Sequence, residues 1–205
     1  HLSPYAENPF GALDLNRIPL ESAKPIVLFA PDEERRFLEA CDDWQFPVFL
    51  TLMLTGVRPG ELTHLLLPDD VDWDARLLHV SNKPELGWHV KTRNARSVPI
   101  VQPLLHVLKF DVGDRQAGPL FRQRRFHRAQ QQPLLVDCDP DSLQREIARR
   151  IAAQAAATGK DLTRVQQLQV SRRVWRDAGI VKTERVRIEF MRVCRRIGLS
   201  SQSCP

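Results

Sequence analysis

Hydrophobic and polar positions follow three different rhythms along the 205 residues. Residues 1–24 hold prolines at 4, 9 and 19, an Asn-Pro step and a glycine without sustained periodicity, which predicts an extended linker or arm. From Pro31 the spacing turns helical: a first-turn proline, then Asp32, Glu33 and Glu34 near the positive helix end, then Phe37 and Leu38, with an end expected near Asp43. The run Phe46 to Thr55 is almost wholly apolar, and periodicity alone does not separate a buried strand from a buried helix. With Gly56 as its C-terminal stop, it is assigned as a helix. A short helix is expected from Pro59 to about Leu66, with Leu62, Leu65 and Leu66 inward, which leaves Arg58 at a turn between two helices.

After the acidic run Asp69, Asp70, Val71, Asp72, Trp73, Asp74 the rhythm shortens. Leu77 to Val80, Trp88 to Lys91 and Ser97 to Ile100 read as strands of a three-stranded antiparallel meander. The rest is helical: Pro103 to Phe110, Pro140 to Ala157, Leu162 to Ala178 and Glu184 to Ile197, the last three stopped by Gly159, Gly179 and Gly198. In the last helix Val186, Phe190, Val193 and Ile197 form an apolar stripe, with Arg185, Arg187, Arg192, Arg195 and Arg196 on the remainder. The fold class predicted is α+β, mainly helical, with a small three-stranded antiparallel sheet.

Composition adds little until it is split along the chain. A hydrophobic share of 42% and a charged share of 27% give no reason to invoke global disorder, and the length suits one domain with a tail. No apolar stretch approaches the roughly 20 residues that cross a bilayer, and the N-terminal His1, Leu2, Ser3, Pro4 shows no basic region followed by an apolar one. A cytoplasmic, nucleoid-associated protein with no membrane partner is expected. Cys41, Cys138, Cys194 and Cys204 are far apart, which suggests neither a zinc knuckle nor a disulfide framework. Net charge is +5, but the distribution is uneven: 12 Lys/Arg against 17 Asp/Glu up to residue 120, then 18 against 8. A basic half of this kind suits a polyanion; solvated arginine-rich helix faces explain it equally well.

Two motifs carry more chemistry. Thr55-Gly56-Val57-Arg58-Pro59-Gly60-Glu61-Leu62, followed by Leu65 and the Asp70-Val71-Asp72 turn, resembles the first signature box of the tyrosine recombinase (phage integrase) family. Starting 36 residues after Thr55, Lys91-Thr92-Arg93-Asn94-Ala95-Arg96-Ser97-Val98-Pro99-Ile100 is similar to the family's β-hairpin with a catalytic lysine. The resemblance implies that Arg58 stabilises charge on a DNA phosphodiester, that Glu61 holds its guanidinium, and that Lys91 protonates the departing 5′-oxygen. A guanidinium suits this because it presents paired, directional donors where an ammonium does not. Arg93 and Arg96 are then expected on backbone phosphates. Each residue also has a plainer reading: Arg58 as a helix cap, and Lys91, Arg93 and Arg96 as solvated hairpin residues.

The family's second arginine box and tyrosine nucleophile, which forms a 3′-phosphotyrosyl intermediate, are not found: the last histidine is His127, and the single tyrosine, Tyr5, precedes Arg58. Residues 25–205 are therefore expected to be a partial recombinase catalytic domain, truncated before that box, with a helical insertion around 122–180, and to make no DNA cleavage alone. No cofactor or metal is expected, the partner is double-stranded DNA, and the resemblance implies a tetramer on DNA for the full-length protein. Arg122, Arg124 and Arg125, with Arg128 and Gln130 to Gln132, suggest a DNA-contacting strip or a mobile basic loop. Two other classes stay open. One is a non-catalytic DNA-binding module using the last two helices as a helix-turn-helix. The other is a metal-dependent nuclease built on Asp69, Asp70, Asp72 and Asp74.

Overall fold

The computed structural model describes residues 28–92, 94–127 and 131–199. The arm expected over residues 1–24, together with Arg93, Arg128 and Gln130, lies outside these described residues. Within them, seven α-helices and five short strands run in the order α1 (Pro31–Glu39), α2 (Gln45–Thr55), α3 (Pro59–Leu62), β1 (Leu66–Leu67), β2 (Val71–Asp72), β3 (Leu77–Val80), β4 (Arg96–Pro99), α4 (Gln102–Val112), β5 (Gly118–Pro119), α5 (Pro140–Thr158), α6 (Arg164–Asp177) and α7 (Thr183–Arg196). The class is α+β and mainly helical, as the sequence pattern predicts.

The apolar run is indeed a helix. In α2, Pro47, Val48, Phe49 and Leu50 are buried, and Gly56 closes it at φ +62, its amide donating to the Leu52 carbonyl at 3.0 Å. A side chain at that left-handed turn would be strained, which is why glycine ends the helix there. α1 stops at Glu39 rather than near Asp43 because Asp42 starts the next element: its Oδ1 accepts the amides of Trp44 and Gln45 at 3.1 and 2.9 Å. Phe37 and Phe49 meet Phe190 of α7 at ring-centroid distances of 5.2 and 5.9 Å, so α1, α2 and α7 share one aromatic core.

α3 is shorter than expected. Leu62, Leu65 and Leu66 are all buried, as predicted, but Leu66 belongs to β1 and pairs with Pro119 of β5. The helix cannot continue because the Leu66 amide donates to the Asp70 carboxylate at 2.6 Å while the Leu65 carbonyl accepts from Leu120 at 2.8 Å.

The meander exists with a different third strand. Its order is β2-β3-β4, antiparallel throughout, with Val71 opposite Leu78 and Leu78 opposite Val98. Val71–Asp72, inside the acidic run, supplies the strand expected at Trp88 to Lys91. That segment is claimed locally: Trp88 exchanges backbone hydrogen bonds of 3.0 Å with Lys83 around the 3-10 turn Pro84–Leu86, and the Val90 amide donates to the Asn82 side chain at 2.9 Å. With those groups occupied no ladder extends through residues 88–91.

α5 and α6 form an antiparallel pair over a second buried cluster, made by Leu143, Ile147, Val174, Trp175, Ala178 and Ile180 with Leu66 and Leu86 from the earlier part of the chain. The Trp175 indole donates to the Leu86 carbonyl at 3.0 Å. No helix among the described residues is long and apolar enough to cross a membrane. Leu66 is the side chain through which β1 touches this second cluster. Leu66→Ala is therefore expected to cost about 2–5 kcal/mol in urea unfolding, and a loss below about 1 kcal/mol would show that the cluster does not depend on it.

Candidate nucleic-acid interface

Arg58 stands between the left-handed turn at Gly56 and α3, with extended backbone at φ −71 and ψ 149. Pro59 takes the first helical position, and Glu61 folds back so that its Oε2 accepts the Arg58 amide at 2.8 Å. The same carboxylate, only 3% exposed, lies 3.4 Å from the Arg58 guanidinium. On its other side Arg96, at the start of β4, donates from Nη1 to Oε1 at 3.0 Å and from Nη2 to Oε2 at 2.6 Å. A bidentate pair of this kind is among the stronger protein hydrogen bonds.

Two guanidiniums thus share one buried negative charge. Arg96 takes the close, paired contact, while Arg58 keeps one long contact and a side chain 49% exposed, with most of its five donors directed elsewhere. The local excess is one positive charge, held by a residue whose backbone is fixed by the same carboxylate. Such a group can meet an anionic oxygen without first breaking a close ion pair. The Arg96 hydrogen bonds hold the Glu61 carboxyl below the usual glutamate range; burial opposes this and the Arg58 amide supports it.

The remaining predicted residues are distributed differently. Lys91 is exposed on a turn and makes no ion pair or hydrogen bond with Arg58, Glu61 or Arg96. Arg93 lies outside the described residues. Arg96, expected on a phosphate, is engaged with Glu61. The expected arginine strip divides: Arg122 points inward, its guanidinium 3.1 Å from Asp137 and its backbone carbonyl accepting the Trp44 indole at 2.7 Å. Arg124 is pinned by Asp42 at 2.6 Å and by Glu189 at 3.1 Å, with its guanidinium 5.1 Å from the Trp44 ring centroid. Arg125 is exposed over Phe126. Arg124 and Arg125 line a groove of about 500 Å³ with Trp44, Lys182 and Arg185.

Sequence reading missed Glu189. Its carboxylate is 1% exposed and is met by Gln45 at 2.7 Å, Arg192 at 2.6 Å, Arg185 at 2.8 Å and Arg124. A signal was present: Glu189 is three residues after Val186 and four before Val193, which puts it on the buried stripe of α7. His64 was also missed. It lies two residues past α3, its Nδ1 2.7 Å from the Gly60 carbonyl and its ring stacked on Trp88, and burial pushes its pKa down to about 4, so it is neutral at neutral pH.

The acidic run does not converge. Asp70 is buried against Lys83 at 2.9 Å, and Asp72 accepts the amides of Asp74 and Ala75 at 3.0 and 2.7 Å. Among the described residues no three His, Cys, Asp or Glu side chains gather as a metal cluster.

No family model matches the sequence, and no curated protein matches it. Among solved structures, the chain is similar to XerA recombinase, at 21% identity and a TM-score of 0.40, over 90% of this chain and 56% of that one. It is also similar to the Tn1549 transposon integrase in complex with transposon right end DNA, at 17% identity and a TM-score of 0.46, over 92% of this chain and 72% of that one. The structures it resembles are recombinases and integrases, and the chain spans about half the length of the XerA structure.

Because Glu61 has a lowered pKa in the folded protein, its contribution to stability is full above the ordinary glutamate value of about 4.3 and is lost as pH falls through the lowered folded value. Urea unfolding of the native protein and Glu61→Gln should differ by about 1–3 kcal/mol near neutrality, with the gap closing in acid. A gap that stays constant into acid would contradict the pairing.

Proposed function

We propose that this chain is the phosphate-gripping part of a site-specific DNA recombinase or integrase. The observation that carries this reading is the sharing of buried Glu61 by Arg58 and Arg96, which leaves a backbone-fixed guanidinium directed outward. Attack on a phosphodiester builds negative charge on the non-bridging oxygens, and a preorganised guanidinium stabilises that charge without reorganising. Arg58 is the stabiliser. Glu61 and Arg96 are positioning residues, acting through Arg58 rather than on DNA.

Lys91 is the general acid for the departing 5′-oxygen. Its exposed turn leaves it to move onto that oxygen when DNA docks, since catalytic contacts often tighten only in the complex. The full-length protein would cut and rejoin DNA through a 3′-phosphotyrosyl intermediate. The nucleophile is not among these residues: Tyr5 is the single tyrosine and precedes Arg58 in the chain. The 205 residues alone bind DNA and form no covalent adduct.

The test is duplex DNA binding by fluorescence anisotropy over a salt series. Arg58→Ala should weaken binding about tenfold, in line with the loss of one charge-assisted contact of roughly 1.5–3 kcal/mol, and Arg58→Lys should restore only part of it because the fork is lost. Equal affinities for the native protein, Arg58→Ala and Arg58→Lys would overturn this reading of Arg58.

A further inference from the structure

The α5–α6 pair treats its own cations in two ways. On α5, Arg149 and Arg150 are held by Glu146 at 2.7 and 2.6 Å, Arg150 also reaches Asp177 at 2.5 Å, and Arg145 donates to the Ser142 hydroxyl at 2.9 Å. On α6, Arg172 and Arg173 are exposed and have no carboxylate partner among the described residues. Arg176 has only a 3.6 Å contact to Asp177, which Arg150 already occupies. Arg172 and Arg176 are one turn apart on one face, about 6 Å along the axis, a spacing that suits neighbouring phosphates of one DNA strand.

These three arginines line a groove of about 450 Å³ together with Lys182, Thr183, His64 and apolar side chains that include Trp175. Lys182 also has no carboxylate partner among the described residues, and His64 is neutral, so the groove carries positive charge with no facing carboxylate. Its position matters. His64 follows Arg58 by six residues and lies two past α3, the short helix that Arg58 precedes. Thr183 Oγ1 touches Thr63 Oγ1 at 3.3 Å, which fixes this wall of the groove to the same segment.

We infer that the α6 face bearing Arg172, Arg173 and Arg176, with Lys182, is a second DNA-backbone site that takes phosphates of the duplex flanking the one at Arg58. It rests on the proposed function and extends it: Arg58 acts at one phosphate, and the α6 face supplies sequence-independent affinity beside it. Each cation that neutralises a phosphate releases condensed counterions, so the site is read in the salt dependence of binding rather than in base preference.

The experiment is the salt dependence of duplex binding by the full chain, its R172Q/R173Q/R176Q variant, and a control R145Q/R149Q variant that removes self-paired or hydroxyl-bonded cations from α5. The α6 variant should lower the slope of log K against log salt by about 2–3, at about 0.9 per phosphate contact, and the control should leave it nearly unchanged. An unchanged slope in the α6 variant, or an equal drop in the control, would overturn the inference, the second outcome pointing to total charge alone. These substitutions are on exposed side chains, and coincident unfolding curves confirm that the fold is intact. Failure here with a normal Arg58→Ala effect leaves the proposed function standing; the converse result removes that function and keeps the surface. A native chain that binds no DNA overturns both.

Discussion

A carboxylate excluded from water on this scale costs several kcal/mol unless it is fully paired, and Glu61 is the point on which the candidate site turns. Its two oxygens accept the Arg58 amide and a bidentate Arg96, so one side chain sets the backbone at the start of α3, joins that helix to β4, and determines how the Arg58 guanidinium is left. The Arg96 contact is close and paired; the Arg58 contact is long and single. This asymmetry separates a structural arginine from one able to meet a ligand.

The same device recurs at Glu189, where a buried carboxylate gathers Gln45 of α2, Arg124 of the loop, and Arg185 and Arg192 of α7. There the cations outnumber the carboxylate while their contacts are close, so the cluster fastens α7 to α2 and holds the groove beside Trp44 in shape. The protein's positive half is therefore not a uniform coat. Some arginines are anchors on buried acids, others are paired along their own helix, and others, Arg172 and Arg173 among them, face outward without a carboxylate partner among the described residues, as Arg58 of the acidic half does with only one long contact. Charge counted along the sequence does not distinguish these groups; their carboxylate partners do.

Much of the architecture was legible because local rules dominated there. Gly56, Gly159 and Gly198 each adopt positive φ at a helix end where the sequence placed a stop, and Val186 and Val193 turned inward as the period of α7 required. What failed depended on long-range or side-chain claims on the backbone. Trp88 to Lys91 has strand composition, yet Lys83 and Asn82 take its hydrogen-bonding groups, while Val71 and Asp72, hidden in an acidic run, supply the strand instead. Of the site, Arg58 was readable through the resemblance of the Thr55 to Leu62 run to a recombinase signature box, and Glu61 through its place three residues further on. The capture of Glu61 by Arg96, 35 residues away, was not, because only folding sets which of two arginines wins a shared acid.

The central claim is that Arg58 meets a single DNA phosphate. It is tested most directly by a double-mutant cycle between Arg58→Ala and duplexes in which one phosphate at a time is replaced by an uncharged methylphosphonate. The account predicts one position at which the two changes are strongly non-additive, because neutralising that phosphate removes the partner whose loss the substitution would otherwise register. Additive effects at every phosphate would contradict it and return Arg58 to the role of a helix-start residue.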